Sequence, residues 1–438
     1  MEQKRKIQDI SVAKNSSIIT GFLKKVFEVL MMLNLIWLAY LESRSVSKTI
    51  KTIKKLKSFR ERLLTKDRLT KIVKSGGRVF LDMHSPGWPS RAFNEFYRDE
   101  ISRVAKAGNK INLAKLMVFS ITNNCPLRCE HCFEADYLGK KDDLTLADLM
   151  KIIQRLSNLG LSKVGLSGGE PMTRIDDIIE LVTKFYNQID FWILTSGFNL
   201  TEENAKRLKK AGITGLSISL DYIDSLKHNR FRNSHLAFSW ATNAMINAKK
   251  ADLLVCATLC ATRDFIENQD LYKYAEKAKA LGASFIQIVE PHAVGAYAGR
   301  DVSLTEENKL VLEKFFRESN SNPKHADLPI VAYNAYHQRR TGCFGNANRY
   351  LFVDSSGNAH PCHFCRISMG SLLDQDYIQI LEKLRNYQGC NFFRQAAVGF
   401  NHEEGGKDNY DIKFVQKQKK AVKPESSSVK IDSDHTLI

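Results

Sequence analysis

Residues 115–135 read KLMVFSITNNCPLRCEHCFEA. The opening KLMVFSI is a short apolar run of the kind that forms a buried strand, and Pro126 helps stop the strand from continuing. Cys125, Cys129 and Cys132 therefore fall in the loop behind it. Outward from this stretch, similar runs recur: KVGLS (163–167), DFWILTS (190–196), GLSISL (215–220), LVCATL (254–259) and SFIQIV (284–289). Helical patterns lie between them at 145–159, 175–187, 202–211, 236–250 and 267–281. Six such alternations predict an α/β fold, a parallel sheet covered by helices, either doubly wound or an incomplete β/α barrel. Both architectures collect ligands at the C-terminal strand ends, which is where the cysteine loop sits.

Spacings of four and three let one loop wrap three thiolates around a centre. Zinc, a redox pair and an iron-sulfur cluster all suit that arrangement. A closed zinc site wants a fourth ligand, and His131 is too tightly held between Cys129 and Cys132 to serve comfortably. A three-thiolate cubane leaves one iron open. The second strand ends in LSGGEP, where Gly168 and Gly169 permit close backbone approach and Glu170 supplies a carboxylate acceptor.

The pattern Cys125-x3-Cys129-x2-Cys132 behind a first strand, with Gly168-Gly169-Glu170-Pro171 behind the second, resembles the signature of the radical S-adenosylmethionine superfamily. His131 stands where that family usually has an aromatic residue. The resemblance covers about 115–395 and implies a partial (β/α)6 TIM-like barrel. It implies a 4Fe-4S cluster on the three cysteines, chelated at its fourth iron by S-adenosylmethionine, whose amino group meets the GGEP turn. The implied chemistry is reductive cleavage to a 5′-deoxyadenosyl radical that abstracts hydrogen from a substrate, with an electron donor such as flavodoxin or ferredoxin. By position, Ser196 corresponds to a ribose contact, and Ser219, Asp221 and Arg232 to contacts of the methionyl carboxylate. The serines and Asp221 also read as helix caps or turn formers, and Arg232 as a surface ion pair. Gln287 and Val289 fall on the adenine side, with core packing the plainer reading of Val289. Cys256 and Cys260 read as small buried residues.

A second group lies in GCFGNANRYLFVDSSGNAHPCHFC (342–365), which reads as a hairpin turning at Ser356-Gly357-Asn358 and gathering Cys343, Cys362 and Cys365. It resembles the SPASM extension, or its shorter relative twitch, and with Cys390 the count suits one auxiliary 4Fe-4S cluster. Zinc on the same four residues is the alternative. His360 and His363 are substitutes for Cys390. The extension implies peptide or protein modification. The alternatives are a lipid or small metabolite modified at a membrane, and a non-catalytic iron-sulfur or zinc redox or scaffold protein.

The chain has 438 residues, 43% hydrophobic and 26% charged, enough for two or three domains and incompatible with disorder throughout. Its net charge of +17 is uneven: residues 1–80 hold 19 Lys/Arg against 6 Asp/Glu, a surplus of +13. The body is near neutral, so a nucleic acid is not the expected partner. VFEVLMMLNLIWLAYL (26–41) spans only ~24 Å as a helix against ~30 Å of hydrocarbon, and no cleavage site follows it. Val46, Ile50, Ile53, Leu56, Leu63, Leu64, Leu69 and Ile72 recur at helical spacing among lysines and arginines. This predicts a basic amphipathic helix or helix pair, with residues 20–75 on an anionic membrane surface and Trp37 and Tyr40 as interfacial aromatics. A solvated face packed on the body is the alternative. HSPGWPSRAF (84–93) marks a junction. The expected organisation is an arm at 1–110, a core barrel at 111–330, a cluster-binding extension at 331–400 and a disordered tail at 401–438. Nine cysteines, seven of them grouped, suit a reducing compartment, hence the cytoplasm, peripherally on the inner face of the cell membrane.

Overall fold

The computed structural model describes residues 16–63, 69–105, 115–268, 270–345 and 350–387. The N-terminal part supplies β1 (Ser16–Thr20), α1 (Gly21–Ser43), α2 (Val46–Leu63), β2 (Lys71–Ser75), β3 (Arg78–Phe80) and α3 (Arg91–Ala105). The barrel follows as β4 (Leu116–Ser120), α4 (Leu146–Ser157), β5 (Lys163–Ser167), α5 (Ile175–Phe185), β6 (Asp190–Thr195), α6 (Glu202–Ala211), β7 (Gly215–Ser219), α7 (Ser225–Arg232), α8 (Ala237–Lys250), β8 (Leu254–Cys260), α9 (Arg263–Asn268), α10 (Leu271–Ala280), β9 (Phe285–Val289), α11 (Glu306–Ser321) and β10 (Ile330–Tyr333). The extension contributes α12 (Asn334–Thr341), β11 (Tyr350–Val353), β12 (Ala359–His360) and α13 (Tyr377–Asn386).

Strands β4 to β10 pair in parallel in chain order, the topology of a partial β/α barrel. All six expected strands are present. A seventh, β10, lies at the expected boundary between core and extension; it is four residues long and carries too little pattern to read from sequence. β11 pairs in parallel with β4 on the other edge, and β12 folds back on β11 with Phe352 opposite His360. The extension therefore continues the barrel sheet. Helix ends are set locally: Thr145 forms a capping box with Asp148 on α4, and Thr305 one with Asn308 on α11.

The strands alternate strictly. Met117, Phe119, Val164, Leu166, Phe191, Ile193, Leu216, Ile218, Ile286 and Ile288 face the helices in one large core. The opposite faces present Gly165, Ser167, Ser217, Ser219, Thr258 and Gln287 to the lumen, beside the bulkier Leu116, Val118, Trp192 and Leu194 of β4 and β6. Bulky residues at all of these positions would fill the barrel. Small and polar ones leave a cavity of about 800 Å³.

The N-terminal part differs from a purely helical arm. Ile72, expected on a helix, is buried with Val73 in β2 of an antiparallel three-stranded sheet ordered β1-β2-β3. Tertiary burial overrides the helical spacing there. This sheet and α3 cover the N-terminal ends of the barrel strands. Arg78 binds Asp190 (3.0 Å) and Thr214 (3.1 Å), Lys71 donates to the carbonyls of His325 and Leu328 (both 2.7 Å), and Lys115 pairs with Glu100 (2.7 Å) and Asp99 (2.8 Å).

Candidate active site

At the opposite rim, β4 delivers the cysteine loop. Its first residues are pinned by Asp142, which accepts from the Thr122 hydroxyl (2.7 Å) and the Asn123 N–H (2.6 Å). The Gly168-Gly169 turn behind β5 packs directly on this loop: the N–H of Gly169 donates to the Thr122 carbonyl (2.7 Å) and that of Glu170 to the Asn124 carbonyl (2.6 Å). A Cβ on Gly168, at φ +138°, would lie 2.4 Å from the Thr122 oxygen, and one on Gly169 would lie 2.3 Å from the Asn124 oxygen. Only glycine permits that approach.

The residues singled out in the sequence separate by role. Cys125, Cys129, Cys132, Gly168, Gly169, Glu170, Ser196, Ser219 and Arg232 line the cavity, as do Gln287, Val289, Cys343 and Cys362. Asp221 and Pro171 are buried behind this wall, and Pro171 opens a short 3-10 turn. Cys390 lies outside the described residues.

Glu170 does not offer a vacant acceptor for an ammonium. One oxygen accepts from the Thr195 hydroxyl (2.6 Å) and the Met172 N–H (3.1 Å); the other accepts from the N–H (2.8 Å) and hydroxyl (2.6 Å) of Ser196. Four donors fill the four lone-pair sites of a carboxylate. Glu170 thus ties the end of β5 to the end of β6, and the Ser196 hydroxyl spends its proton on it. Asp221 likewise supports rather than contacts: it accepts from Arg232 Nε (2.7 Å) and the Cys260 N–H (2.9 Å). Burial opposes its ionisation, but the Arg232 guanidinium together with His131 and His228 outweighs this and holds the carboxyl at about 2. Arg232 reaches from there to Cys129 Sγ at 3.7 Å, so it is no surface ion pair.

Burial, with the neighbouring Glu170 and Cys129 adding to it, pushes the Cys125 thiol up to about 11. Burial and then Cys129 push Cys132 to about 12. Burial also raises Cys129 despite Arg232. Cys129 thus acts on both Cys125 and Cys132, and a cation bound beside them would favour their thiolates. His131 behaves as an aromatic residue: it stacks on Phe231 (centroids 4.4 Å, planes 10° apart), and burial lowers its pKa to about 3.

The extension brings the second thiol group to the same cavity. The Cys362 and Cys365 backbones form a tight turn (N–H to carbonyl 3.1 Å), and a Cβ on Gly345 would lie 3.4 Å from Cys362 Cβ, placing the Cys343 loop against it. His360 is committed to Asp354 (2.7 Å), whereas His363 lines the cavity and packs at a tilt against Phe364 (centroids 3.9 Å, planes 54° apart). Sequence reasoning missed what fastens the extension to the first loop. Arg366 pairs with buried Glu134 (2.7 Å), and the Ser355 hydroxyl donates to Asn123 (2.7 Å). The signal was adjacency: Glu134 stands two residues after Cys132 and Arg366 one after Cys365.

The Radical SAM superfamily matches residues 119–275. An AdoMet-dependent heme synthase of Methanosarcina barkeri is 26% identical over 294 residues, covering 62% of this chain and 83% of that protein. A PqqA peptide cyclase of Granulibacter bethesdensis is 28% identical over 254 residues, covering 56% and 67%. Among solved structures, Streptococcus suis SuiB bound to precursor peptide SuiA superposes with a TM-score of 0.52 at 14% identity, covering 68% of this chain and 73% of that one. With a parallel barrel, a three-cysteine loop at its first strand end and a glycine turn packed on that loop, residues 119–275 form a Radical SAM domain, the domain of a superfamily whose enzymes use a 4Fe-4S cluster and S-adenosylmethionine.

Proposed function

We propose that the chain abstracts a hydrogen atom from a substrate held in the barrel lumen. The observation that carries this is the convergence on one cavity of the Cys125/Cys129/Cys132 loop, the Gly168-Gly169 turn and the Arg232 guanidinium. The donor set suits the cluster: three thiols on one loop, with a cation at 3.7 Å from one of them. When bound, the cluster and S-adenosylmethionine supply reductive cleavage to methionine and a 5′-deoxyadenosyl radical.

The protein's own part is positioning. Cys125, Cys129 and Cys132 would hold the cluster, and the Gly168-Gly169 backbone, Ser219 and Arg232 would face the methionyl end of the cofactor. Asp221 fixes the plane of the Arg232 fork, and Glu170 fixes the rim between β5 and β6. The helix-facing core and the N-terminal plug shield the lumen from water, which protects a radical from quenching. Cys343, Cys362, Cys365 and Cys390 would hold the auxiliary cluster, and the Glu134–Arg366 pair would keep the two sites in register.

The name of the PqqA peptide cyclase supports a peptide or protein substrate. A second reading, a lipid or other apolar molecule modified at a membrane, is favoured by the cavity itself, which continues beneath α1 and α2 past Met31, Leu35, Ile53 and Leu56. The reading places the protein in the cytoplasm, supplied by a flavodoxin or ferredoxin, with residues 20–75 on an anionic membrane surface. Anaerobic reconstitution followed by dithionite and S-adenosylmethionine tests the chemistry. Wild type is expected to form 5′-deoxyadenosine and Cys129→Ala none; a fully loaded wild type that binds S-adenosylmethionine yet never cleaves it would overturn the proposal.

A further inference from the structure

The N-terminal hairpin has two apolar faces, and the fold uses one. Inward, Leu38 and Ala39 of α1 are buried with Ile101 of α3, and Leu35, Ile53, Leu56 and Tyr97 pack around them. Outward, α1 exposes Phe22, Val29, Leu33, Trp37 and Tyr40 at helical spacing, Phe22 at 79% and Trp37 at 57%. From Val29 to Leu41 this helix carries no charged residue. A contiguous apolar face of that kind is a binding surface rather than ordinary scatter.

Two observations identify what covers it. Lys48, Lys51, Lys54, Lys55 and Lys57 of the neighbouring α2 are all exposed, which suits an anionic surface and would repel a second copy of the same hairpin. Among the described residues no helix is long and apolar enough to cross a membrane, so the face lies along a bilayer rather than through it. The same hairpin also walls the cavity: Met31, Leu35, Ile53 and Leu56 line it with Phe93 and Phe96, and Glu28 and Lys57 of the two helices line it as well. One helix pair thus carries a bilayer-type face outside and a mostly apolar channel wall inside.

We propose that α1 docks this face on an anionic bilayer and that the part of the cavity beneath it takes the apolar chain of an amphiphile drawn from that bilayer, with the reactive carbon at the cysteine end. This rests on the hydrogen-abstraction reading for its chemistry, but not for its binding steps. The test uses the full chain. Co-sedimentation with vesicles of phosphatidylcholine plus phosphatidylglycerol is expected, with far less on phosphatidylcholine alone. The doubly substituted Leu33→Glu, Trp37→Glu protein should lose at least tenfold in vesicle affinity while forming 5′-deoxyadenosine without substrate at the wild-type rate. cis-Parinaric acid should bind with a rise in fluorescence, and Ile53→Trp should weaken it at least tenfold; Leu35→Phe, a smaller change, should weaken it several-fold with an unaltered melting curve. The proposal fails if wild type ignores the vesicles, if the double variant sediments like wild type, if that variant instead dissolves a dimer, or if parinaric acid binding is absent or indifferent to both channel variants. Loss of 5′-deoxyadenosine with vesicle and parinaric acid binding intact would count against the radical chemistry alone.

Discussion

The two rims of the barrel both bury charge, and they use it differently. At the N-terminal rim the buried charges pair with one another. Asp190 receives Lys163 (3.3 Å), Arg78 (3.0 Å) and the hydroxyl of Thr214, and its carboxyl is held low because these two cations outweigh burial. Lys115 sits between two carboxylates. At the C-terminal rim the chain of partners runs outward from the core and ends at the cavity: Cys260 N–H, Asp221, Arg232, Cys129. Buried ion pairs at the first rim fasten a plug. At the second they aim a guanidinium at a thiol in the lumen.

Substitutions on the two rims should therefore fail in opposite ways. The largest effect is expected from Cys132→Ala, which should drop 5′-deoxyadenosine below detection in an anaerobic assay while the chain still folds by circular dichroism. Lys115→Met should do the reverse, removing the cation held between Asp99 and Glu100 and costing about 3–5 kcal/mol in denaturant unfolding. Its cleavage per folded molecule should stay at the wild-type level; a matching loss of turnover would erase the distinction between the rims. Asp221→Asn keeps the shape but frees Arg232, so S-adenosylmethionine binding or cleavage should fall about 10–100-fold, the range for partners that orient a metal-site residue. The smallest signal is a pH dependence from Lys71, whose pKa burial lowers to about 7. The folded state releases this proton near neutrality while the unfolded chain keeps it, so stability should climb from pH 7 toward the ordinary lysine range. Lys71→Met should flatten that climb in unfolding curves taken at successive pH values.

The difference between the rims also marks what the sequence reveals. The six apolar runs and the cysteine loop were legible because strand pattern and ligand spacing are local. So was the aromatic role of His131. The alternation inside the strands went unread, although Ser167, Ser217 and Thr258 interrupt otherwise apolar runs. What else escaped is long-range. Nothing local distinguishes Glu170 as an acceptor already filled, because its donors Thr195 and Ser196 come from the next strand. Ile72 and Val73 carry an apolar spacing that both a helix and a strand satisfy, and only the pairing with β1 and β3 decides. β10 is too short to announce itself, and the Glu134–Arg366 clasp joins residues 232 positions apart.

The central claim is that the C-terminal rim, through the Cys125/Cys129/Cys132 loop, binds S-adenosylmethionine at its own cluster. Electron paramagnetic resonance of the dithionite-reduced, reconstituted protein tests it directly, with and without S-adenosylmethionine. The cofactor should perturb the cluster signal in wild type and in Cys362→Ala. In Cys129→Ala the remaining signal should be indifferent to the cofactor. A cofactor-sensitive signal that survives in Cys129→Ala, or that vanishes in Cys362→Ala, would contradict the account.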